Sequence, residues 1–188
     1  MMERRLLLAG LVLLILGLPG CYPGAVTGGG VAMVNADDRR TSGAQIDDKG
    51  IERKAGRQIE EKYGDLVHVD VTSYNRFVVV AGEVPNQQVK DDIGAMVLGV
   101  ENVRNVQNEL TVGPLTSSAS KANDAYLTTL VKANLLNKIN PNYIKVMTEN
   151  GVVYLMGLVT HKEGALAAEA ASKTSGVEKV VTMFEYRD

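Results

Sequence analysis

Val78-Val79-Val80-Ala81-Gly82-Glu83-Val84 is a run of β-formers with a glycine near its end. Seventy-five positions later the chain repeats the pattern as Val153-Tyr154-Leu155-Met156-Gly157-Leu158-Val159. Working outward, Val69-Asp70-Val71 matches Ile144-Lys145-Val146 at the same offset of 75. Gly99-Val100-Glu101-Asn102-Val103 matches Gly176-Val177-Glu178-Lys179-Val180 at an offset of 77. The two extra residues fall between a strand and a helix, where insertions are tolerated. The chain is therefore read as an internal repeat.

Each half reads helix, strand, strand, helix, strand. In the second half the first helix is predicted over about 124–137, with Pro141 helping to stop it. Strands over 143–148 and 152–159 flank Glu149-Asn150-Gly151, a hairpin turn signal. Thr160-His161-Lys162-Glu163 has capping-box spacing for the next helix. That helix is predicted to end near Gly176, and 177–186 is the last strand. In the first half Asn86 stands as the helix cap and Gly99 as the helix stop. The hairpin strands must be antiparallel and the helix-linked strands parallel. The predicted fold is α+β: two tandem α-β-β-α-β units, each a small three-stranded mixed sheet with two helices on one face. A unit of about 65 residues is near the lower limit for a stable core, so the two are expected to pack together. Glycine inside a strand marks a bulge or a close approach by another backbone, the role expected of Gly82 and Gly157.

The amino terminus reads as a targeting segment. Arg4 and Arg5 precede an apolar run over 6–18, broken only by Gly10 and Gly17. The run is short for a span of about 20 residues and has the length of a signal core. It ends in Leu18-Pro19-Gly20-Cys21, which resembles the bacterial lipobox, with Pro19 a less usual middle residue. Cys21 is the chain's single cysteine and the expected lipidation site. A lone exposed thiol would otherwise be a liability in an oxidising compartment. Tyr22 follows it rather than Asp. By resemblance to Gram-negative lipoproteins, this implies an outer-membrane, lipid-anchored, periplasm-facing protein. The expected organisation is a signal peptide over 1–20, lipidated Cys21 with a flexible tether over 21–46, a first domain over 47–112, a linker over 113–120 and a second domain over 121–188. The tether contains Gly28-Gly29-Gly30 and has no regular period. At roughly 3.3 Å per residue it reaches at most about 80 Å.

Composition excludes more than it suggests. The chain has 188 residues, 45% hydrophobic and 22% charged, an ordinary globular balance. Net charge is −2. Removing 1–20 takes away Arg4, Arg5 and Glu3, so 20 basic and 22 acidic residues become 18 and 21, net −3. A basic nucleic-acid binder is disfavoured. One cysteine allows no intrachain disulfide, and with two histidines a multi-ligand zinc site is not expected. His68 and His161 occupy non-equivalent repeat positions and read as solvent-facing or capping. No Ser-His-Asp setting is recognisable. Asp37-Asp38, Asp47-Asp48 and Asp91-Asp92 are neighbours in sequence that do not converge on one substrate. Gly28-Gly29-Gly30 lacks the residues of a phosphate loop. No catalytic residue, metal site or cofactor is expected, and the chain reads as non-enzymatic.

The paired glycines and the element order resemble the BON domain, the "bacterial OsmY and nodulation" module: a strand rising into a central Gly, an amphipathic helix, then Gly-Val-x-x-Val. Here these are Val80-Ala81-Gly82 with Gly99 to Val103, and Leu155-Met156-Gly157 with Gly176 to Val180. With the lipobox, the tether and Asp38-Arg39-Arg40-Thr41-Ser42-Gly43 followed by Asp47-Asp48, the chain is similar to the DolP (formerly YraP) family of outer-membrane lipoproteins. So is the stretch from Glu149 to Thr160. The resemblance implies a non-enzymatic protein that binds anionic phospholipid, supports envelope integrity and gathers at division sites.

The two first helices of the repeat then differ informatively. Ile51, Ala55 and Ile59 share a stripe, and their counterparts at an offset of 76 are Leu127, Val131 and Leu135. On the other side, Gly50, Lys54, Arg57 and Glu60 correspond to Tyr126, Leu130, Ala133 and Leu136. At 100° per residue those four lie roughly opposite Val131 and Leu135. Lys132 flanks the arc, and Lys121 and Lys138 lie near the helix ends. An apolar wedge with cationic edges suits an anionic membrane surface. Tyr126, Leu130, Lys132, Ala133 and Leu136 are therefore the expected phospholipid-binding residues. Two alternatives stand: the face packs against the first unit, or it binds an envelope protein partner of the assembly or cell-wall remodelling machinery.

Overall fold

The computed structural model describes residues 37–188. The signal segment, Cys21 and the tether as far as residue 36 lie outside the described residues. The element order is α1 (Ser42–Tyr63), β1 (His68–Tyr74), β2 (Phe77–Val84), α2 (Gln87–Leu98), β3 (Asn105–Val112), α3 (Ser118–Leu135), β4 (Ile144–Glu149), β5 (Val152–Val159), α4 (His161–Ser172) and β6 (Lys179–Tyr186). Short 3-10 turns at Gly64–Leu66 and Pro141–Tyr143 lead into β1 and β4.

Both first helices start earlier than their sequence reading. Thr41 caps α1 by accepting from the Ala44 amide at 3.1 Å, so residues 42–46, read as tether, are helical. Ser117 caps α3 by accepting from the Ser120 amide at 3.2 Å, so residues 118–120, read as linker, are helical too. Asp124, where the helix was expected to begin, lies inside α3. Its buried carboxylate accepts from the Asn150 and Gly151 amides, each at 2.9 Å, and so closes the β4–β5 hairpin. Asp48 does the same for β1–β2, accepting from the Asn75 amide at 2.8 Å and the Arg76 amide at 2.7 Å. Asn75, Arg76, Asn150 and Gly151 all have positive φ, as a tight hairpin turn requires. Asn86 caps α2, and Thr160 forms a capping box with Glu163 on α4. Helix α4 ends at Ser172, short of Gly176, and β6 begins at Lys179.

Each sheet is three-stranded, in the orders β1-β2-β3 and β4-β5-β6. The hairpin pairs are antiparallel, and the β2–β3 and β5–β6 pairs are parallel. The helices pack on one face. In the first unit Ile51, Ala55 and Ile59 bury against Val78, Val80, Val84, Ile93 and Val97. In the second, Val131 and Leu135 bury against Val153, Leu155, Val159, Ala167 and Ala170. The alternate residues of the central strands point the other way. There Val79, Ala81 and Tyr74 meet Tyr154, Met156 and Met147 in a third buried cluster. The two sheets therefore stack face to face and the helix pairs lie outside. Strands β2 and β5 are buried on both faces, which is why they read as nearly unbroken apolar runs. Fully burying one large apolar side chain contributes about 1.5–3 kcal/mol, so this shared layer supplies what a unit of this size lacks.

Gly82 has φ +127°, and a Cβ there would stand 2.1 Å from the His68 carbonyl oxygen. At Gly157 a Cβ would stand 2.6 Å from the Tyr143 carbonyl oxygen. Both are sites of close backbone approach, as their position inside a strand suggested.

The segment before α1 ties the units together. Arg39 makes a bidentate pair with Glu163 at 2.6 and 2.8 Å, donates to the Leu158 carbonyl at 2.9 Å and stacks 3.6 Å from the Tyr143 ring centre. Arg40 pairs with Asp38 and Asp48 and lies over the Tyr74 ring at 4.1 Å. Residues 38–40, assigned from sequence to the tether, are part of the folded body.

Candidate functional site

Because the sheets meet face to face, the outer side of α3 is turned away from the first unit. The alternative that this side packs against the first unit does not describe Tyr126 and Leu136, which stay exposed, although Lys132 borders a cleft shared with Glu52 and Tyr74 of the first unit. Tyr126 is 61% exposed and Leu136 59%. Leu130 is half-buried, and Lys132 and Ala133 are exposed. Four lie on α3 and Leu136 is its C-cap, still helical in φ and ψ, so their relative positions follow from the 3.6-residue turn. The stripe beneath them, Leu127, Val131 and Leu135, is buried as predicted. In α1 the matching positions carry exposed Lys54, Arg57 and Glu60, and Lys54 pairs with Glu101 at 2.8 Å.

Beside this face lies an apolar groove of about 400 Å³, lined by Thr129, Lys132, Ala133, Leu135, Leu136, Ile139, Pro141, Ile144 and Val146. It runs between the C-terminal turns of α3, the loop that follows, and β4, an edge strand. The sequence reading missed Ile139, Pro141 and Ile144. They follow the helix rather than lie on it, so helical periodicity could not join them to its face. Lys132, Ala133 and Leu136 belong to both features. Among the described residues, no helix is long and apolar enough to cross a membrane.

The two histidines part company. His161 is exposed, 2.8 Å from Asp188 and stacked on Tyr186 at 3.9 Å, in keeping with a solvent-facing residue at a helix start. His68 is not solvent-facing. Its side chain lies largely covered where the two units meet, beside Glu83 and Glu149. Burial and the nearby carboxylates of Asp70, Glu83 and Asp124 push the Glu149 carboxyl up to about 8. Burial also raises Glu83, but hydrogen bonds from Thr116 and Asn150 outweigh it and leave that carboxyl below its ordinary value. Positions 68, 83 and 149 share no sequence spacing that would announce them as neighbours.

A profile described as the BON domain matches residues 47–114 and 123–188. These are the two structural repeats, and the chain belongs to the BON-domain family as a two-domain member of the DolP kind. It is 42% identical over 175 residues to the "Outer membrane lipoprotein DolP" of Haemophilus influenzae, covering 91% of each chain. It is 28% identical over 153 residues to the "21 kDa hemolysin" of Actinobacillus pleuropneumoniae, covering 79% of each. It is 32% identical over 117 residues to the "Osmotically-inducible protein Y" of Escherichia coli, covering 60% of this chain and 58% of that one. Among solved structures, the C-terminal domain of CdsD from the Chlamydia trachomatis type III secretion system aligns with a TM-score of 0.32 at 13% identity. That match covers 83% of this chain and all of that domain.

Proposed function

We propose that this protein is an outer-membrane lipoprotein, anchored through Cys21 and facing the periplasm, that docks on anionic phospholipid through the outer face of α3. In this reading it supports envelope integrity and is recruited to division sites. The observation that carries the lipid reading is the exposure of Tyr126 and Leu136 on one helix whose counterpart in the first unit is polar. Burying each such side chain in the membrane interface contributes about 1.5–3 kcal/mol. Each nearby lysine adds about 1 kcal/mol at an anionic surface. The acyl chain supplies stable attachment, and the helix supplies head-group preference and orientation. The lipoprotein reading draws on the signal sequence and on the relative named an outer membrane lipoprotein.

The test is co-sedimentation with anionic and zwitterionic vesicles, using a Cys21→Ala chain lacking residues 1–20 so that only the helix is read. Tyr126→Glu and Leu136→Glu should each weaken binding to anionic vesicles by about tenfold or more while circular dichroism stays unchanged. Binding should fall with salt. Lys54→Glu should have little effect. If the folded Tyr126→Glu and Leu136→Glu chains sediment like the parent, the face serves an envelope protein partner instead.

A further inference from the structure

The repeat makes each place where the units meet occur twice, and the two occurrences have opposite chemistry. At the first, Arg39 and Arg40 lie over Tyr143 and Tyr74, Arg39 also donates to the Leu158 carbonyl, and the Lys145 ammonium donates to Glu52. Moving along the repeat by 75 or 76 positions replaces these three cations with Leu115, Thr116 and Asp70. The same step turns Tyr143, Tyr74 and Leu158 into His68, Glu149 and Glu83. The first corner carries its own positive charge, and the second has exchanged it for carboxylates.

One donor atom from each of His68, Glu83 and Glu149 lies within 4.8 Å of the other two. Glu149 is only 5% exposed, and its buried Oε1 has no hydrogen-bond partner. That oxygen faces His68 Nε2 at 3.5 Å. A buried carboxyl oxygen without a partner is costly and is relieved by a proton or a bound cation. Glu83 is held in place by the Thr116 amide at 3.0 Å and by the Thr116 hydroxyl and Asn150 amide groups. The corner opens on a cleft of about 410 Å³ bordered by Asp70, Lys121 and Asp124. This gives an ion a way in.

We propose that the second corner is a divalent-cation site of the Zn²⁺ class, with His68 Nε2 and one carboxylate oxygen each from Glu83 and Glu149 as ligands. An imidazole among carboxylates favours zinc over calcium or magnesium, which prefer all-oxygen shells. Zinc–ligand distances near 2.1 Å place tetrahedral donors about 3.4 Å apart. His68 and Glu149 already stand at 3.5 Å, and Glu83, within 4.8 Å of both, exchanges a hydrogen bond from Thr116 or Asn150 for the ion. Water completes the shell. His68 Nδ1 then carries the ring proton, and the exposed Lys121, whose Nζ lies 3.1 Å from it, swings outward. The bound ion joins β1 and β2 of the first unit to β4 of the second. The site shares no ligand with the lipid face and touches it only through Lys121, which borders both.

The experiment is equilibrium dialysis of the full-length chain in detergent against Zn²⁺, with bound metal counted, alongside thermal unfolding with and without the ion. One equivalent is expected to bind and to raise the unfolding midpoint. Glu149→Gln and His68→Asn should each weaken binding at least about tenfold and remove the rise. His161→Asn, at the exposed pair with Asp188, should change neither, and millimolar Ca²⁺ or Mg²⁺ should not displace the ion. Absence of binding would assign a proton rather than a metal to Glu149 and overturn the proposal. So would binding that survives both corner variants, binding lost in His161→Asn, or displacement by Ca²⁺ or Mg²⁺.

Discussion

Helices α1 and α3 occupy the same place in their units, and their inner stripes are interchangeable in kind: Ile51, Ala55 and Ile59 against Leu127, Val131 and Leu135, all buried. Their outer sides are not, since Lys54, Arg57 and Glu60 stand where the second unit has Leu130, Ala133 and Leu136. The difference shows where the fold constrains the chain and where it does not. The units meet through their sheets, so both helix layers face outward. Packing fixes the inner stripe of each helix and leaves the outer side free to diverge. One duplicated skeleton can then keep one unit as a polar support and make the other a contact surface.

The sharpest way to break this comparison is to move a charge by one residue. Leu127 is 2% exposed, and Leu127→Glu forces a carboxylate into the second core. It should cost more than about 4 kcal/mol and unfold the unit. Tyr126→Glu, on the outer side of the same turn, should shift stability by no more than about 0.5 kcal/mol. Ile51→Glu and Gly50→Glu should show the same contrast in α1. Denaturant melts followed by circular dichroism decide it. Equal melts for Tyr126→Glu and Leu127→Glu would mean that the helix is rotated from the orientation described.

The strand glycines separate the units next. Gly82→Ala meets both a left-handed backbone and a carbonyl oxygen 2.1 Å from its new Cβ. It should cost about 3 kcal/mol or more. Gly157→Ala meets only a carbonyl at 2.6 Å and should cost about 1–3 kcal/mol. Thermal melts in which Gly157→Ala is the more damaging would reverse this ranking and locate the tighter crossing in the second unit.

Period and repeat made the strands, their pairing and the core stripes legible, because those follow from which residues alternate and recur. The exposed arc from Tyr126 to Leu136 was legible for the same reason: it appears when two copies of one helix are aligned. The helix starts were not. Asp124, where α3 was expected to begin, lies inside it, and its partners, the Asn150 and Gly151 amides, lie across the hairpin. Arg39 does not stand out in sequence, since its partners Glu163 and Tyr143 are more than 100 positions away, and Arg40 lies over Tyr74 only once α1 has packed on its sheet. The corner of His68, Glu83 and Glu149 was hidden twice over. Its members belong to different units, and it forms only when two sheets stack. Local pattern carries no information on contacts made by docking.

The smallest effect belongs to the first corner and tests how its cations hold the units. The Arg39 guanidinium is the main reason the Glu163 carboxyl sits at about 2, against an ordinary value of 4.5, and the Thr160 amide helps. A carboxyl lowered in the folded state contributes stability that is present above its ordinary value and is lost as pH falls toward its folded one. Arg39→Ala should therefore cost about 1–2 kcal/mol at pH 7. The gap from the parent should shrink between about pH 4.5 and pH 2, where Glu163 takes up its proton. The stacking on Tyr143 and the bond to the Leu158 carbonyl do not depend on the Glu163 charge, so a small residual difference remains at pH 2. Leu115→Ala, at the equivalent position of the other corner, removes an exposed side chain. It should change stability by under about 0.5 kcal/mol at every pH. Urea melts of the three chains from pH 7 to pH 2 read the comparison directly. A gap for Arg39→Ala that stays constant with pH would assign its contribution to ring stacking rather than to the ion pair.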